Sequence, residues 1–178
     1  MFQSIILFIF SNLIMTTPPI NLYNSAKTNN GAWYVVDDGV MGGRSQGRLD
    51  LAKGEVLHFH GKVSLENNGG FSSIRYDMDS VNINDRRKII LTLKGDGKSY
   101  QFRIKKDRRE RYSYIKAFTT NGEWQNIEIN LRDMEPAFRG MMLDLPNFDF
   151  DIISEMAILI GNKKPETFSI LIDNIEVI

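Results

Sequence analysis

No cysteine occurs among the 178 residues, which excludes disulfides, thiol nucleophiles, iron–sulfur sites and cysteine-based zinc sites. Histidine is almost as scarce, being confined to His58 and His60. An excess of one charge is also missing: 22 basic residues balance 22 acidic ones, against the one-sided field of a general nucleic-acid binder or a polybasic membrane-surface protein. Helical periodicity is nearly absent, and so is any apolar run long enough to cross a bilayer. The opening segment Met1 to Met15 is apolar but patchy, and it stops at Thr16-Thr17-Pro18-Pro19. No basic residue precedes Lys27, whereas a secretory signal begins with a positive region and a mitochondrial presequence is rich in arginine. Three readings fit the segment: an atypical signal peptide, an extra buried element, or an extension upstream of a start at Met15. The signal reading is favoured, which divides the chain into a leader over 1–19 and one domain over 20–178. Localisation stays open between a soluble cytoplasmic protein and an exported one.

What is present is a composition of 42% hydrophobic and 25% charged residues, that of one soluble domain with a sizeable core. From Trp33 onward, short runs rich in Ile, Val, Phe and Tyr alternate with Gly, Asn and Asp clusters, the signature of antiparallel β-structure. Strands are expected at Trp33–Val36, Val56–His60, Phe71–Tyr76, Tyr112–Thr119, Trp124–Leu131, Met156–Ile160 and Phe168–Val177. Lys88–Lys94 and Tyr100–Lys105 flank Gly95-Asp96-Gly97 and read as a hairpin. Pro136–Ser154, with two prolines and a mixed pattern, reads as a long connection holding a short helical turn. The expected fold is all-β: a two-sheet antiparallel jelly-roll sandwich with few or no helices.

The densest feature is Asp37-Asp38-Gly39-Val40-Met41-Gly42-Gly43-Arg44-Ser45-Gln46-Gly47, with four glycines in eleven residues. Such density specifies an unusual loop shape that lets other groups approach the backbone closely. Asp37 and Asp38 are adjacent, so they rarely converge on one substrate atom as an acid/base pair must. Asp38 is instead expected to accept hydrogen bonds from nearby amides and to brace the loop. His58 and His60 share one strand face, but a metal site would have to recruit carboxylates, and a partly exposed strand accounts for the pair. Gly95-Asp96-Gly97-Lys98-Ser99 resembles the end of a phosphate-binding loop; Thr92 stands where that motif needs glycine, and a strand follows instead of a helix. The run Lys105-Lys106-Asp107-Arg108-Arg109-Glu110-Arg111 interleaves acids and holds no aromatic residue, so it reads as a solvated hairpin loop. Trp33 and Trp124 read as core residues; with Tyr34, Tyr112 and Tyr114 they are also the raw material for a sugar-stacking platform.

The segment Asp37–Ser45 resembles the signature of the NADH:ubiquinone oxidoreductase complex I intermediate-associated protein 30 family. Trp33 stands ahead of the loop as in that family, and Glu66-Asn67-Asn68-Gly69-Gly70-Phe71-Ser72-Ser73-Ile74-Arg75 resembles its second motif. Gly95–Tyr100, Trp124-Gln125 and Pro136-Ala137-Phe138-Arg139-Gly140 resemble later blocks in the same order, so the resemblance spans about Ile20 to Ile178. It implies a galactose-binding-like β-sandwich and a non-enzymatic, chaperone-like role. Mitochondrial members hold membrane-arm intermediates of respiratory complex I, so protein partners such as respiratory-complex subunits are implied. The chain lacks those members' arginine-rich leader and long N-terminal extension, and looks like a compact bacterial relative. Partner contacts are expected from Asp38, Gly39, Val40, Met41, Gly42, Gly43, Arg44 and Ser45, with Gly69, Gly70, Phe71 and Arg75 from the second motif. Met41 is expected to supply adaptable contacts and Arg44 a charged anchor. No catalytic residue, metal, cofactor, nucleic acid or stable membrane span is expected. The alternative is a carbohydrate-binding module of jelly-roll type, which needs exposed, coplanar aromatic rings and would take a glycan.

Overall fold

Period-two alternation of apolar and polar residues places one face of each strand in a shared core and leaves the other outward. The computed structural model describes residues 17–27, 32–52 and 54–178, with Val40 and Met41 described by backbone alone. In chain order the strands are β1 (Ile20–Asn24), β2 (Trp33–Asp37), β3 (Gln46–Leu51), β4 (Leu57–Val63), β5 (Ser72–Tyr76), β6 (Val81–Asn82), β7 (Lys88–Lys94) and β8 (Ser99–Lys105). They continue as β9 (Ser113–Thr119), β10 (Trp124–Asn130), β11 (Glu135–Phe138), β12 (Met141–Met142), β13 (Ile152–Ile153), β14 (Glu155–Ile160) and β15 (Glu166–Val177). Three short 3-10 turns and no α-helix occur among the described residues. Nor is any described helix long and apolar enough to cross a membrane.

Two antiparallel sheets form the jelly-roll sandwich. The first runs β10-β7-β15-β4-β3, with β1 also paired to β15; the second runs β12-β11-β9-β8-β14-β5-β2. Between them lie Phe59, Ile89, Leu91, Leu93, Ile170 and Ile172 from the first sheet and Ile74, Phe102, Ile104, Met156 and Ile158 from the second, all almost without solvent contact. Each such side chain contributes roughly 1.5–3 kcal/mol of burial free energy before entropy is counted.

The structure changes four local expectations. Lys88–Lys94 and Tyr100–Lys105 are not a hairpin: β7 pairs with β10 and β15, whereas β8 pairs with β9 and β14 in the opposite sheet. Gly95–Lys98 is a crossover between sheets. Asp96 fixes it by accepting from Lys98 Nζ at 2.6 Å, Tyr100 OH at 2.9 Å and the Ser169 amide at 3.0 Å. The Pro136–Ser154 stretch holds short strands and no helical turn; the nearest 3-10 turn, Leu131–Asp133, precedes it. Strands β1 and β3 were not expected. Their amphipathic signal is weak because each lies on the edge of a longer neighbour, β1 on β15 and β3 on β4. Finally, Trp33 is buried as expected but Trp124 is 48% exposed, since β10 is an edge strand and Trp124 starts it facing outward. The expected leader lies outside the described residues except for Thr17, Pro18 and Pro19.

Candidate functional site

Strand β2 ends at Asp37 and the chain turns at once into a 3-10 turn, Asp38–Met41, closed by Gly42 in the left-handed region at φ +85°. This turn aims the Asp38 carboxylate inward, where the residue is 7% exposed. Its Oδ1 accepts from the Ser45 amide at 3.1 Å, and its Oδ2 accepts from the Ser45 hydroxyl at 2.5 Å, the Gly70 amide at 2.6 Å and the Phe71 amide at 3.3 Å. One carboxylate thus ties the first glycine-rich loop to the second, across a sequence separation of 32 residues. Burial works to raise the Asp38 pKa, but the bonds from the Ser45 hydroxyl and the three amides outweigh it and hold the carboxyl below its ordinary range.

The glycines follow from this carboxylate. A Cβ on Gly43 would overlap the Asp38 carboxylate, and one on Gly69 would stand 2.7 Å from Asp38 Oδ2 and 2.8 Å from the Ser64 carbonyl oxygen. A second layer completes the lock. Asp37 accepts from the Gly47 amide at 2.9 Å and the Ser72 hydroxyl at 2.5 Å, Ser45 Oγ accepts from the Ser64 amide at 3.0 Å, and Asn67 Nδ2 donates to the Gly42 carbonyl at 2.9 Å. Asp37 is therefore structural as well, not half of an acid/base pair.

Outside the lock, Arg44 pairs with Glu66 at 2.9 Å, both well exposed. Gly39 and Gly42 are solvent-facing, while Val40 and Met41 complete the turn with their backbone. The contact role expected of Met41 concerns a side chain outside those described. An open hollow of about 440 Å³ adjoins the second loop, lined by Leu65, Asn68, Gly69, Gly70, Phe71, Arg139, Gly140 and Lys163. Both signature loops and the Arg139–Gly140 turn between β11 and β12 thus gather at one end of the sandwich. Sequence reasoning missed Ser64, Leu65 and Lys163. Only the positive φ of Lys163, +57°, marks its turn as unusual, and that is invisible in sequence. Arg75 does not join this end; it stands on the outer face of β5, 3.8 Å from Glu155.

The other candidates resolve into ordinary chemistry. His60 Nε2 lies 2.6 Å from Asp50 Oδ2 and His58 Nε2 lies 2.9 Å from Ser169 Oγ, with the two rings stacked at 4.3 Å. Among the described residues no group of three or more His, Asp or Glu is placed to hold a metal ion. The 106–112 loop joins β8 to the paired β9, and Arg109 is held by Asp107 at 2.6 Å. The aromatic residues do not assemble into a platform. Trp33 packs on Tyr76 with ring centres 4.8 Å apart in the core, Tyr114 is buried against Phe148, and Trp124 stands on the other sheet.

A two-sheet antiparallel sandwich whose loops, and not its strands, carry the densest motifs defines a galactose-binding-like jelly-roll domain. The chain belongs to the Complex I intermediate-associated protein 30 (CIA30) family, whose model matches residues 21–172. A comparison with curated proteins gives no match. Among solved structures, the family 11 carbohydrate-binding module of the cellulosomal cellulase Lic26A-Cel5E of Clostridium thermocellum is similar, with a TM-score of 0.69 and 16% identity over 92% of this chain and 95% of that one. The same organism's family 11 module in complex with a β-1,3-1,4-mixed-linked tetrasaccharide gives a TM-score of 0.67 at 16% identity, covering 92% of this chain and 97% of that one. An agarase, AgWH50C, gives 0.60 at 14% identity, covering 90% of this chain but 24% of the agarase. At such identities these likenesses establish the fold. Both the family and this module fold are non-catalytic domain types.

Proposed function

We propose that this chain is a non-enzymatic assembly factor that binds incompletely assembled subunits of respiratory NADH dehydrogenase (complex I). The observation that carries the reading is the preformed loop end: two signature loops of the complex I intermediate-associated family are locked as one unit by Asp38. Around them stand exposed Leu65, the Arg44–Glu66 pair, Arg139 and Lys163. A rigid end with apolar, charged and main-chain groups suits protein docking, because little ordering entropy is lost on binding. The likeness to carbohydrate-binding modules supports a glycan reading of the fold. The burial of Trp33 and Tyr114 weighs against it, since sugar stacking needs exposed rings on one face.

Recovery in mild detergent of the tagged chain at native expression tests the proposal. Respiratory-complex subunits are expected with the unaltered chain and not with Arg44→Glu plus Leu65→Asp, which alters the exposed end and spares the lock. Equal recovery of nothing by both folded proteins, together with a glycan array signal that depends on these two residues, would overturn it.

A further inference from the structure

The outer face of the second sheet carries a row of cross-strand neighbours in register: Tyr34 on β2, Arg75 on β5, Ala157 on β14, Arg103 on β8 and Ile115 on β9, with exposed Glu135 on β11 at its far end, two strands beyond Arg103. Arg75 and Arg103 flank Ala157 from either side, so their Cα atoms stand roughly 10 Å apart, two strand spacings. The alanine leaves the floor between them low. Two residues further along β14, Glu155 lies 3.4 Å from Lys105 Nζ and 3.8 Å from Arg75. Three cations therefore face one carboxylate. Arg103 is the least well served of the three: it feels the attraction of Glu155, but no ion pair reaches it among the described residues and its Nε is buried without a hydrogen-bond partner. For an outer face the floor is sheltered, with Ala157 at 5% exposure and Lys105 at 8%.

A half-buried guanidinium that only shares a carboxylate with two other cations is costly unless something further pairs with it. Burial, and then the nearby Arg75, push the Arg103 pKa down against the opposing pull of Glu155, which fits a cation sharing one anion with two others. A carboxylate set above Ala157 would meet the fork-shaped donors of both arginines, the geometry in which arginine binds carboxylates best.

We propose that the Arg75–Ala157–Arg103 row receives an acidic side chain, aspartate or glutamate, of a protein partner. This inference takes the protein-binding reading as its premise and adds a second contact surface, separate from the loop end. A peptide is favoured over an acidic sugar because Tyr34, at the margin of the row, is its one aromatic ring. Charge-assisted hydrogen bonds from the two guanidinium groups therefore dominate what the face can offer.

The test uses the intact chain with labelled oligoglutamate and labelled oligoglutamine as probes. Oligoglutamate is expected to bind more tightly, to weaken with added salt, and to lose about tenfold in affinity with either Arg75→Gln or Arg103→Gln, the effect of one charge-assisted hydrogen bond. Arg48→Gln, on β3 of the other sheet, is expected to leave it unchanged. Arg103→Gln is also expected to melt no lower than the unaltered chain, because it removes one of three half-sheltered cations that share Glu155; a lower melting temperature with unchanged binding would assign Arg103 to the fold and overturn the site. Equal binding of both probes overturns it, and so does Arg103-dependent capture of polygalacturonate with none of oligoglutamate. If oligoglutamate fails while respiratory subunits are still recovered, this site falls and the assembly reading stands; the reverse pattern removes the assembly reading alone.

Discussion

Replacing Asp38 with alanine removes one acceptor from three amides and one hydroxyl in a site where the carboxylate is 7% exposed. A buried donor left unpaired costs about 1–3 kcal/mol, and water entering the vacated space returns part of that, so the net loss should be about 3 kcal/mol. In a domain of this size that corresponds to a fall of about 6–12 °C in melting temperature. Asp38→Asn preserves shape but turns an amide donor toward donors, and should cost about 2 kcal/mol. The two variants also separate charge from shape through pH. The folded pKa of Asp38 lies below its ordinary value of 3.8. Its contribution is therefore complete above that value and is lost as pH falls through the folded pKa, where the unfolded chain holds the proton more firmly. Thermal melts by circular dichroism at neutral pH and between about pH 5 and about pH 3 should show a larger acid-induced loss in the unaltered chain than in Asp38→Asn, where Asp96 and the other depressed carboxyls still contribute. Hydrogen exchange at Gly70 and Phe71 should accelerate in both variants. An Asp38→Ala protein melting within about 2 °C of the unaltered chain would refute the brace, since that corresponds to less than one ordinary hydrogen bond.

Gly69→Ala places a methyl group against Asp38 Oδ2 and the Ser64 carbonyl, and should destabilise by about 2 kcal/mol in denaturant titrations; an unchanged midpoint would mean that the two loops part freely. Trp33→Ala, which empties the packing against Tyr23 and Tyr76, should cost about 3–5 kcal/mol, against less than about 1 kcal/mol for the edge residue Trp124→Ala. Comparable losses at both positions would contradict the assignment of Trp124 to the outer face. Burial, followed by repulsion from His60, lowers the pKa of His58 below 6.5. Its neutral form is thus favoured by folding, and stability should fall as pH drops below that value. His58→Gln should flatten the dependence of melting temperature between about pH 7.5 and about pH 5.5, and a steeper slope would contradict the sign.

The architecture was legible because period two survives in nearly every central strand: Ile89, Leu91 and Leu93 announce β7 as clearly as Tyr100, Phe102 and Ile104 announce β8. Which sheet each joins was not legible. A hairpin and a sheet-to-sheet crossover demand the same alternation, and the Asp96 contacts that decide between them reach Ser169, 73 residues away. The same limit applies to the site. That Asp38 braces its loop followed from an aspartate placed directly before glycine, but its donors Gly70 and Phe71 arrive through tertiary folding and carry no local mark. The second-motif residue Arg75 was legible as part of a motif, yet its row with Arg103 depends on the register of three strands, which no spacing along the chain reveals.

Strand β15 pairs along one edge with β7, while β4 and β1 meet it in succession over residues 166–172 and 174–177, with a bulge between Ile172 and Asn174. It is also synthesised after every strand it joins. Until it emerges from the ribosome, β1, β4 and β7 each present an unsatisfied edge, and their apolar faces have no completed sheet to close against. Folding of this domain is therefore tied to the translation of β15. Between the appearance of β7 and that of β15 the nascent chain exposes strand edges and apolar faces that only the last strand covers, the interval in which it is most open to aggregation.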